Sequence, residues 1–558
     1  MRRPMLLAAL LCLSAAVSSS AQEQTVGLFQ NDEGSDSGYT LFAPSQATTT
    51  YLIDKDGLLV HRWEQVPANQ RGGIPTVYLL ENGHMLRGGG GRIEEYDWDG
   101  NLVWSYETSD DQRRIHHDIE PLPNGNVLAI AYQTIPSAEA IAAGRDPGLL
   151  SDGELWPDAV LEIEPAGAQG GTIVWEWRVW DHLIQDFDST QANFGVVADH
   201  PELVDVNFAL NGNDDWTHFN GIDYNEALDQ IVVSSFFLSE IWVIDHSTTT
   251  EEAAGHTQGD RGKGGDLLYR WGNPQAYRGG TTDDQVLYGV HDPRWIESGL
   301  PRAGNVLVFN NGSRRPEGDF SSVEEISSAA DDDGNYDLTP GFVPAEVAWR
   351  YTAENPTDFY SNFISGAQRL PNGNTLVCSG ATGTFFEIDA DDEVVWLYVN
   401  PVTGDGPLTQ GDPIPQSQQG NRPPTFANIV FKTQRYAPDY PGLAGRDLTP
   451  GDALELAPTN TAAEEAADDV PGIFSLSPNY PNPFNPATTI RYTLGQTSHV
   501  SLKVYDTVGH EVASLVDALQ SEGVYSHVFD ASDLASGVYL VALTAGDFVQ
   551  TMQVVLMK

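Results

Sequence analysis

The chain has 558 residues, too many for one small domain and enough for a large core with an accessory module. Hydrophobic residues make up 40% and charged residues 19%, a composition typical of a globular protein. With 79 acidic against 28 basic residues the net charge is −51, which excludes general nucleic-acid binding and argues against docking on anionic membranes.

The negative charge is concentrated in one region. Residues 22–443 carry −43 of it, whereas residues 473–558 carry only −4, and the whole chain has five lysines. Acid-rich, lysine-poor chains suit high-salt surroundings, because added salt screens their self-repulsion. We therefore interpret the acidity as a solvation trait of a salt-adapted, halophilic protein and not as a binding site.

The first 21 residues are typical of a secretory signal peptide. Arg2 and Arg3 are followed by a mostly apolar run, and Ser19-Ser20-Ala21 is a small-residue cleavage site. After cleavage Cys378 is the one remaining cysteine, so no intrachain disulfide is expected. No other segment is apolar enough over its length to predict a membrane span.

The C-terminal part of the chain changes character twice. Residues 444–472 are acidic and poor in large apolar residues, which predicts a flexible linker. Residues 473–558 predict a small all-β sandwich, because short strand patterns alternate with turn signals. The opening 474–486 and the later Ser536-Gly537-Val538-Tyr539 resemble the C-terminal sorting domain of the type IX secretion system. The resemblance implies secretion or display at the cell surface by the type IX machinery; an ordinary binding sandwich is the alternative.

Residues 22–443 contain an internal repeat. A strand ends in two rings one residue apart, at His61/Trp63, Trp104/Tyr106, Trp175/Trp177, Tyr269/Trp271, Trp349/Tyr351 and Trp396/Tyr398. A second element is a hairpin with an Asn-Gly turn, as in Leu122-Pro123-Asn124-Gly125-Asn126. Six units of about four strands each predict an all-β chain with a six-bladed β-propeller, in which the rings are blade-to-blade core. The strand 426–431 is expected to close the ring with the start of the chain.

Three successive units place a histidine at one register. His117 and His218 each lie seven residues before the asparagine of a hairpin, and His291 heads the equivalent strand. The innermost strands of a propeller open on its central channel, so the three imidazoles are expected to converge there. Imidazole can be a nucleophile, an acid or base, or a metal ligand. Asn220 adds an amide, and Arg294, Arg314 and Arg315 add guanidinium groups suited to an oxyanion.

These motifs also resemble the arylsulfotransferase family. The matching stretches are His116-His117-Asp118-Ile119, Thr217-His218-Phe219-Asn220, Gly289-Val290-His291-Asp292 and 365–373. The resemblance spans roughly residues 38–435 and implies a propeller in which a channel histidine takes a sulfuryl group from an aryl sulfate and passes it to a phenol. By position, His291 matches the sulfated histidine, His218 and Asn220 match a His-x-Asn pair, and His117 or its neighbour His116 matches another channel histidine.

One position departs from the family pattern. Well-studied members have an arginine after the strand that follows the His-x-Asn pair, and here that place is Ser234-Ser235-Phe236. Arg294, Arg314 and Arg315 are therefore the candidates for donor binding. The expected activity needs no nucleotide sulfate donor, cofactor or metal. Two other classes stay open: a metal-dependent propeller lyase or hydrolase that uses the channel histidines, and a propeller that only binds its ligand.

Overall fold

The structure, a computed structural model, divides into two compact units. The first holds residues 26–408 and 413–456, and the second is built mainly by the described residues after 457. The structure describes residues 24–64, 74–108, 113–150, 153–208, 214–327, 329–331, 333–336, 347–417, 425–458, 474–476, 479, 484, 486–506, 510–521, 523–532, 534–546 and 548–556. The predicted signal peptide, 1–21, lies outside the described residues.

Six antiparallel sheets of four or five strands make up most of the first unit, and we number them in chain order, each from its inner to its outer strand. Sheet 1 contains Gln434–Tyr436, Tyr39–Phe42, Thr49–Ile53 and Leu59–Glu64. Sheet 2 contains Thr76–Leu79, Met85–Gly89, Arg92–Tyr96 and Leu102–Glu107. Sheet 3 contains Arg113–Pro121, Val127–Gln133, Asp158–Pro165 and Gly171–Arg178.

The second half of this unit follows the same plan. Sheet 4 contains Phe219–Asn225, Gln230–Ser235, Glu240–Asp245 and Tyr269–Trp271. Sheet 5 contains Val290–Trp295, Val306–Asn310, Ser322–Ile326 and Val347–Tyr351. Sheet 6 contains Gly366–Arg369, Thr375–Ser379, Thr384–Ile388, Val394–Val399 and Gly27–Asn31.

Short elements fill the connections between these strands. Two-stranded pairs are formed by Ile135–Pro136 with Glu154–Leu155, Leu183–Ile184 with Val204–Asp205, Val402–Thr403 with Gly406–Pro407, and Gln416–Ser417 with Thr425–Phe426. Two short α-helices are Ser137–Ala142 and Thr250–Ala253. Single 3₁₀ turns are Pro147–Leu149, Val179–Asp181, Val197–Asp199, Pro274–Tyr277, Thr282–Asp284, Pro356–Asp358, Gly380–Thr382 and Pro441–Leu443. Among the described residues no helix is both long and apolar enough to cross a membrane.

The repeat deduced from the sequence corresponds to these sheets. All six ring pairs lie on the fourth strand of their sheets. Several of the tryptophans donate a hydrogen bond from the indole N–H to a backbone oxygen of the following sheet; Trp63 bonds Asp97 in this way, at 3.0 Å. The Asn-Gly turns join first to second strands, and Gly125 has a φ of 89°, a backbone conformation that L residues rarely adopt. The predicted all-β propeller body is confirmed, and six blades stay a prediction that the six sheets support.

The strand that closes the propeller differs from the expected one. Gln434–Tyr436 pairs with Tyr39–Phe42, so the end of the body supplies the inner strand of sheet 1. In the segment 426–431, Phe426 ends a short strand paired with Gln416–Ser417, and Val430 forms an isolated bridge with Pro44 of sheet 1's neighbouring loop. The apolar run at 426–431 was misleading because its large residues fill the interior instead: Phe431 is 1% exposed.

Part of the predicted linker packs on sheet 1. Ala453 forms a bridge with Leu58, the Leu59 N–H donates to the Asp452 carbonyl, and Leu454 is buried. The rest of that segment, from residue 459 on, lies outside the described residues.

The C-terminal unit has two sheets around one core. One contains Ser475–Leu476, Ala487–Leu494 and Gly523–Asp530, and the other contains Glu511–Gln520, Ser498–Tyr505, Gly537–Ala545 and Phe548–Leu556. Strand Ser498–Tyr505 alternates buried and more exposed residues along its length, as a half-buried strand should. Its buried side chains, such as Leu502, pack in a single cluster with residues of the other sheet. The C-terminal β-rich module is thereby confirmed.

Candidate active site at the inner strands of sheets 3, 4 and 5

The inner strands of sheets 3, 4 and 5 are irregular where the predicted histidines occur. In each of them the pairing with the second strand shifts, which is a β-bulge. His117 and His218 have left-handed backbone angles, with φ of 53° and 50°. In sheet 5 the residue in this conformation is Asp292, with a φ of 49°, and His291 precedes it. The bulges turn side chains out of the regular alternation, which is how such irregularities position functional groups.

Four imidazoles come together here, and we call His116, His117, His218 and His291 the histidine cluster. The ring centroids of His117 and His218 are 4.6 Å apart, and Nδ1 of His116 lies 2.6 Å from Nδ1 of His117. His291 joins through shared aromatic neighbours: the Phe236 ring lies 5.4 Å from its ring and 5.9 Å from that of His218. All four sequence-predicted histidines are therefore in one place.

His116 is held between a carboxylate and a tyrosine ring. Its Nε2 lies 2.7 Å from Oδ1 of Asp158, and its ring stacks on Tyr132 with centroids 3.5 Å apart. Since the carboxylate is an acceptor, we assign the hydrogen to Nε2, which leaves Nδ1 to accept from the Nδ1–H of His117. Burial, reinforced by the charge of His218, holds the pKa values of His116 and His117 well below the usual range. Both rings are consequently neutral at physiological pH.

His218 forms a dyad with Asp215. Its Nδ1–H donates to Oδ2 of Asp215 at 2.6 Å, and the Tyr132 hydroxyl donates to the same oxygen at 3.2 Å. The carboxylate holds the Nδ1–H, so Nε2 is the ring nitrogen that is free to take up and release a proton. The His218 side chain is 20% exposed, which lets a small molecule reach it. A carboxylate-oriented, accessible imidazole of this kind can act as a general acid and base.

His291 is the most buried member of the histidine cluster, and both of its ring nitrogens have hydrogen-bond partners. It is 3% exposed, its Nδ1 lies 2.6 Å from Oδ1 of Asn311, and the Ile364 N–H donates to its Nε2 at 3.1 Å. The Asn311 amide is itself oriented, because its Nδ2 donates to the backbone oxygens of Ser361 and Ile364. Nδ1 of His291 therefore carries the hydrogen and Nε2 the lone pair. Burial lowers the pKa of His291 to about 3, so the ring is a free base at neutral pH.

Asn220 offers a donor next to the cluster. It is fully buried, and its Oδ1 accepts a hydrogen bond from the Ser234 hydroxyl. Its Nδ2 has no hydrogen-bond partner among the described residues. A buried amide donor without an acceptor costs free energy, so such a group is a candidate for binding an oxygen atom of a ligand.

A buried network of charges lies beside His291. Arg294 donates from Nε to both oxygens of Asp292, at 2.9 and 3.0 Å, and those contacts raise its pKa. Lys432, 2% exposed, binds Asp292 at 3.1 Å and Asp118 at 2.7 Å. Nη2 of Arg294 has no hydrogen-bond partner among the described residues. Arg294 is thus near the cluster but largely neutralised by Asp292.

The other two predicted arginines have different surroundings. Arg315 donates from Nε to the Phe320 carbonyl at 3.1 Å, and its Nη2 lies 3.9 Å from Glu324 in its own sheet. Arg314 is exposed, and its backbone N–H donates to Asp319. These contacts involve no member of the histidine cluster.

A nearer guanidinium belongs to Arg114. It lies over the rings of Tyr132 and Trp156, at 5.5 and 5.9 Å, and Tyr132 in turn stacks on His116. Its side chain is exposed, and no carboxylate pairs with it among the described residues. A guanidinium stacked on aromatic rings keeps its donors free for an anion. Arg114 precedes His116 by two residues, and that proximity was its only signal in the sequence.

Other site residues carried no usable sequence signal. Asp158, Asn311 and Tyr132 are far in the chain from the histidines that they contact. Phe431 lies 6.2 Å from the rings of both His117 and His291. Asp215 could have been suggested by its place three residues before His218.

Comparison of the sequence with protein-family models gives two matches. Residues 20–403 match the family model described as Arylsulfotransferase (ASST), and residues 479–557 match the one described as Secretion system C-terminal sorting domain. The chain matches none of the curated proteins with which it was compared.

Two solved structures are distantly similar to this chain. A protein of unknown function from Bacteroides caccae is 13% identical, with 65% of this chain and 94% of that chain covered and a TM-score of 0.37. Virginiamycin B lyase from Staphylococcus aureus is 9% identical, with 68% and 90% covered and a TM-score of 0.33. These values are too low to support an argument about this chain.

Proposed function

Because the chain belongs to the arylsulfotransferase family, we propose that it moves a sulfuryl group from an aryl sulfate ester to a phenolic acceptor, with His291 as the carrier. Family membership supports aryl sulfotransferase activity in general. The observation that carries the finer proposal is the state of His291: its Nε2 holds an unprotonated lone pair, and Asn311 fixes its Nδ1–H. A buried, neutral and oriented imidazole is prepared to act as a nucleophile.

The first half-reaction forms an N–S bond and breaks an S–O bond. Nε2 of His291 attacks sulfur, the phenolate leaves, and the positive charge that develops on the ring is stabilised by the Asn311 oxygen at Nδ1. The Ile364 N–H must give up Nε2 before the attack. His218 enters this step as the imidazolium: Asp215 holds its Nδ1–H, and its Nε2–H goes to the oxygen of the leaving phenolate, which departs as the phenol and leaves His218 neutral.

The second half-reaction returns the enzyme to its starting state. A phenol enters in place of the first product, and Nε2 of His218 takes its proton. The phenolate oxygen then attacks sulfur, the new S–O bond forms and the N–S bond to His291 breaks. The Asn220 Nδ2 is the donor proposed for a sulfuryl oxygen, and the exposed Arg114 is proposed to bind the incoming sulfate ester.

We also propose the route by which the protein reaches its place of action. The sorting domain supports secretion or display at the cell surface by the type IX machinery. In the proposed organisation, residues 1–21 are the signal peptide, 22–443 the catalytic propeller, 444–472 a connecting segment and 473–558 the sorting module.

A turnover assay tests the proposed function. The protein is incubated with a chromogenic aryl sulfate with and without a phenol, before and after treatment with a chelator. We expect phenol release that depends on the acceptor, a sulfated acceptor as product, and no effect of the chelator. Release that is independent of the acceptor and lost with the chelator would support a metal-dependent hydrolase or lyase, and binding without any product would support a binding module.

Asn220→Ala should reduce kcat/KM for the aryl sulfate by about 10²- to 10³-fold, as loss of one preorganised donor to a developing oxyanion does. Steady-state kinetics measure the effect. Ser234→Ala is the matched control, since it removes the hydroxyl bonded to Asn220 but keeps the Nδ2 donor, and it should cost much less. Equal losses in both variants would contradict the role of Nδ2.

The rate should persist or rise as salt increases from about 0.1 M to about 1 M, where the Debye length falls from about 10 Å to about 3 Å. An anionic sulfate ester approaches a body of charge −43 with no long-range attraction, so screening does not hinder its arrival. Initial rates across a NaCl series check this expectation. A steep fall with salt would show that long-range attraction drives substrate binding.

A further inference from the structure

Away from the histidine cluster, three potential metal ligands meet between the outer parts of sheets 3 and 4. His182 follows the outer strand of sheet 3, and His256 and Asp266 lie in the segment before the outer strand of sheet 4. One ligand atom of each lies within 4.8 Å of the others, and among the described residues this is the one such group of three. The proposed function makes no use of it.

When His182 is neutral, the hydrogen bonds of this group leave its Nδ1 lone pair without a donor. Nε2 of His182 lies 2.9 Å from the Ala253 carbonyl oxygen, and its Nδ1 lies 2.9 Å from Oδ1 of Asp266. Nδ1 of His256 lies 2.7 Å from that same carboxylate oxygen. The carbonyl only accepts, so Nε2 of His182 carries a hydrogen, and in the neutral ring the Nδ1 lone pair then faces a carboxylate oxygen. A cation among the two Nδ1 atoms and the carboxylate oxygen is attracted to all three, and it removes the repulsion between the His182 lone pair and Asp266.

The surroundings of His182 have the form of an outer shell around a metal ligand. Ligating histidines nearly always donate their other ring N–H to a carbonyl or carboxylate, as His182 does to Ala253. The ring is fully buried and stacks on Trp177, with centroids 5.3 Å apart and planes 6° from parallel. A Cβ at position 265 would lie 2.8 Å from Nε2 of His182 and 2.0 Å from the Ala253 oxygen, so Gly265 permits the close approach.

We propose that His182, His256 and Asp266 bind one Zn²⁺ ion through the two Nδ1 atoms and a carboxylate oxygen. Two imidazoles with one carboxylate suit a borderline transition-metal ion, whereas Ca²⁺ and Mg²⁺ take oxygen ligands. Tetrahedral bonds to Zn²⁺ set ligand atoms about 3.3 Å apart, so the present 2.7 and 2.9 Å need to open by only about half an ångström. The His256 side chain is 53% exposed, which gives the ion an entry and leaves room for water as the fourth ligand.

The ion would link two segments: the one that contains His256, before the outer strand of sheet 4, and the one that contains His182, after the outer strand of sheet 3. Its role would therefore be structural. Titration of ZnCl₂ into the chelator-treated full chain tests this, followed by calorimetry and by thermal unfolding. We expect one ion per chain and a higher unfolding midpoint with zinc. Co²⁺ in place of Zn²⁺ should give the visible absorption of a tetrahedral site with nitrogen and oxygen ligands.

His256→Ala is the decisive variant, because an exposed side chain can be removed without disturbing the fold. It should weaken zinc binding by more than the roughly 10- to 100-fold that loss of an outer-shell partner costs. His200→Ala is the matched control: His200 is a comparably exposed histidine paired with one carboxylate, Glu202, at 3.0 Å, and its removal should leave zinc binding intact. His218→Ala should also keep the ion, which separates this site from the histidine cluster.

Three outcomes would overturn the proposal. The first is no binding by the wild-type chain, which would mean that a charged His182 simply pairs with Asp266. The second is undiminished binding in His256→Ala. The third is loss of the ion in His218→Ala with retention in His256→Ala, which would move the metal to the histidine cluster. Sulfuryl transfer should be unchanged in His256→Ala, so failure of either proposal is distinguishable from failure of the other.

Discussion

Replacing His291 with alanine should lower aryl sulfate turnover by on the order of 10⁴-fold or more, because removal of a nucleophile costs this much in enzymes that form covalent intermediates. The wild-type chain, given donor without acceptor, should gain the mass of one sulfuryl group on the peptide that contains His291. Addition of a phenol should remove that mass and produce the sulfated phenol. Kinetics and peptide mass spectrometry measure these two results separately.

The pH dependence of this step has a definite sign. Burial lowers the pKa of His291 to about 3, so the ring is a free base from well below pH 5 upward and its own titration should not limit the rate near neutrality. Single-turnover sulfation should therefore show no acid limb from His291 above about pH 4.

The control for this variant is His84→Ala, since His84 is a half-buried histidine bonded to Glu95 in sheet 2. It should keep full activity. Because His291 is buried, the variant must first be shown to unfold cooperatively. Normal turnover in a folded His291→Ala chain, or a sulfuryl group found on His117 instead, would refute the assignment of the nucleophile.

Local signals explain why so much of the fold follows from the sequence. A turn such as Asn124-Gly125 is dictated by the glycine backbone, and it joins two strands that are neighbours in the chain. The ring pairs repeat because each sheet must pack on the next one in the same way. Both kinds of signal act over a few residues, so they survive without any knowledge of the tertiary structure.

No such local signal marks the strand that closes the propeller. Gln434–Tyr436 is only three residues long and pairs with a strand almost 400 residues earlier, so nothing near it in the chain marks it as a strand. The more apolar 426–431 attracted the prediction, although its Phe431 packs beside the histidines. Hydrophobicity reports burial, and it does not distinguish a strand from a buried loop.

The site, like the fold, was predictable where its residues belong to local motifs. The histidines come from repeating motifs, and they do converge. Their orientation depends on Asp158, Asn311 and the Ile364 N–H, which reach them from 42, 20 and 73 residues away. The arginines show the same limit of sequence-based prediction. The residue type alone does not reveal that Arg315 pairs within its own sheet, or that Arg114 lies over Tyr132.

Asp215→Asn should reduce sulfuryl transfer by about 10²- to 10⁴-fold, the usual contribution of general acid and base catalysis. The Asp215 carboxylate accepts the Nδ1–H of His218 at 2.6 Å and so keeps the Nε2 lone pair available. An amide can present its NH₂ group to Nδ1 instead, which stabilises the tautomer with hydrogen on Nε2, a form unable to take the acceptor's proton. Comparison of kcat/KM for the acceptor over a pH series in the two chains measures the loss.

The dependence on the leaving group makes this test specific. In donors with a strongly basic leaving phenolate, bond cleavage needs the His218 proton, so the first half-reaction should fall most. In donors with an acidic phenol such as 4-nitrophenol, the leaving group departs unaided and that half-reaction should fall little. Glu202→Gln provides the control, because it alters another histidine–carboxylate pair, the more exposed one with His200, and should leave every rate unchanged. A loss of equal size for all donors in the first half-reaction would mean that Asp215 only maintains the structure around His218, and the acid and base role would then have to be assigned to His117.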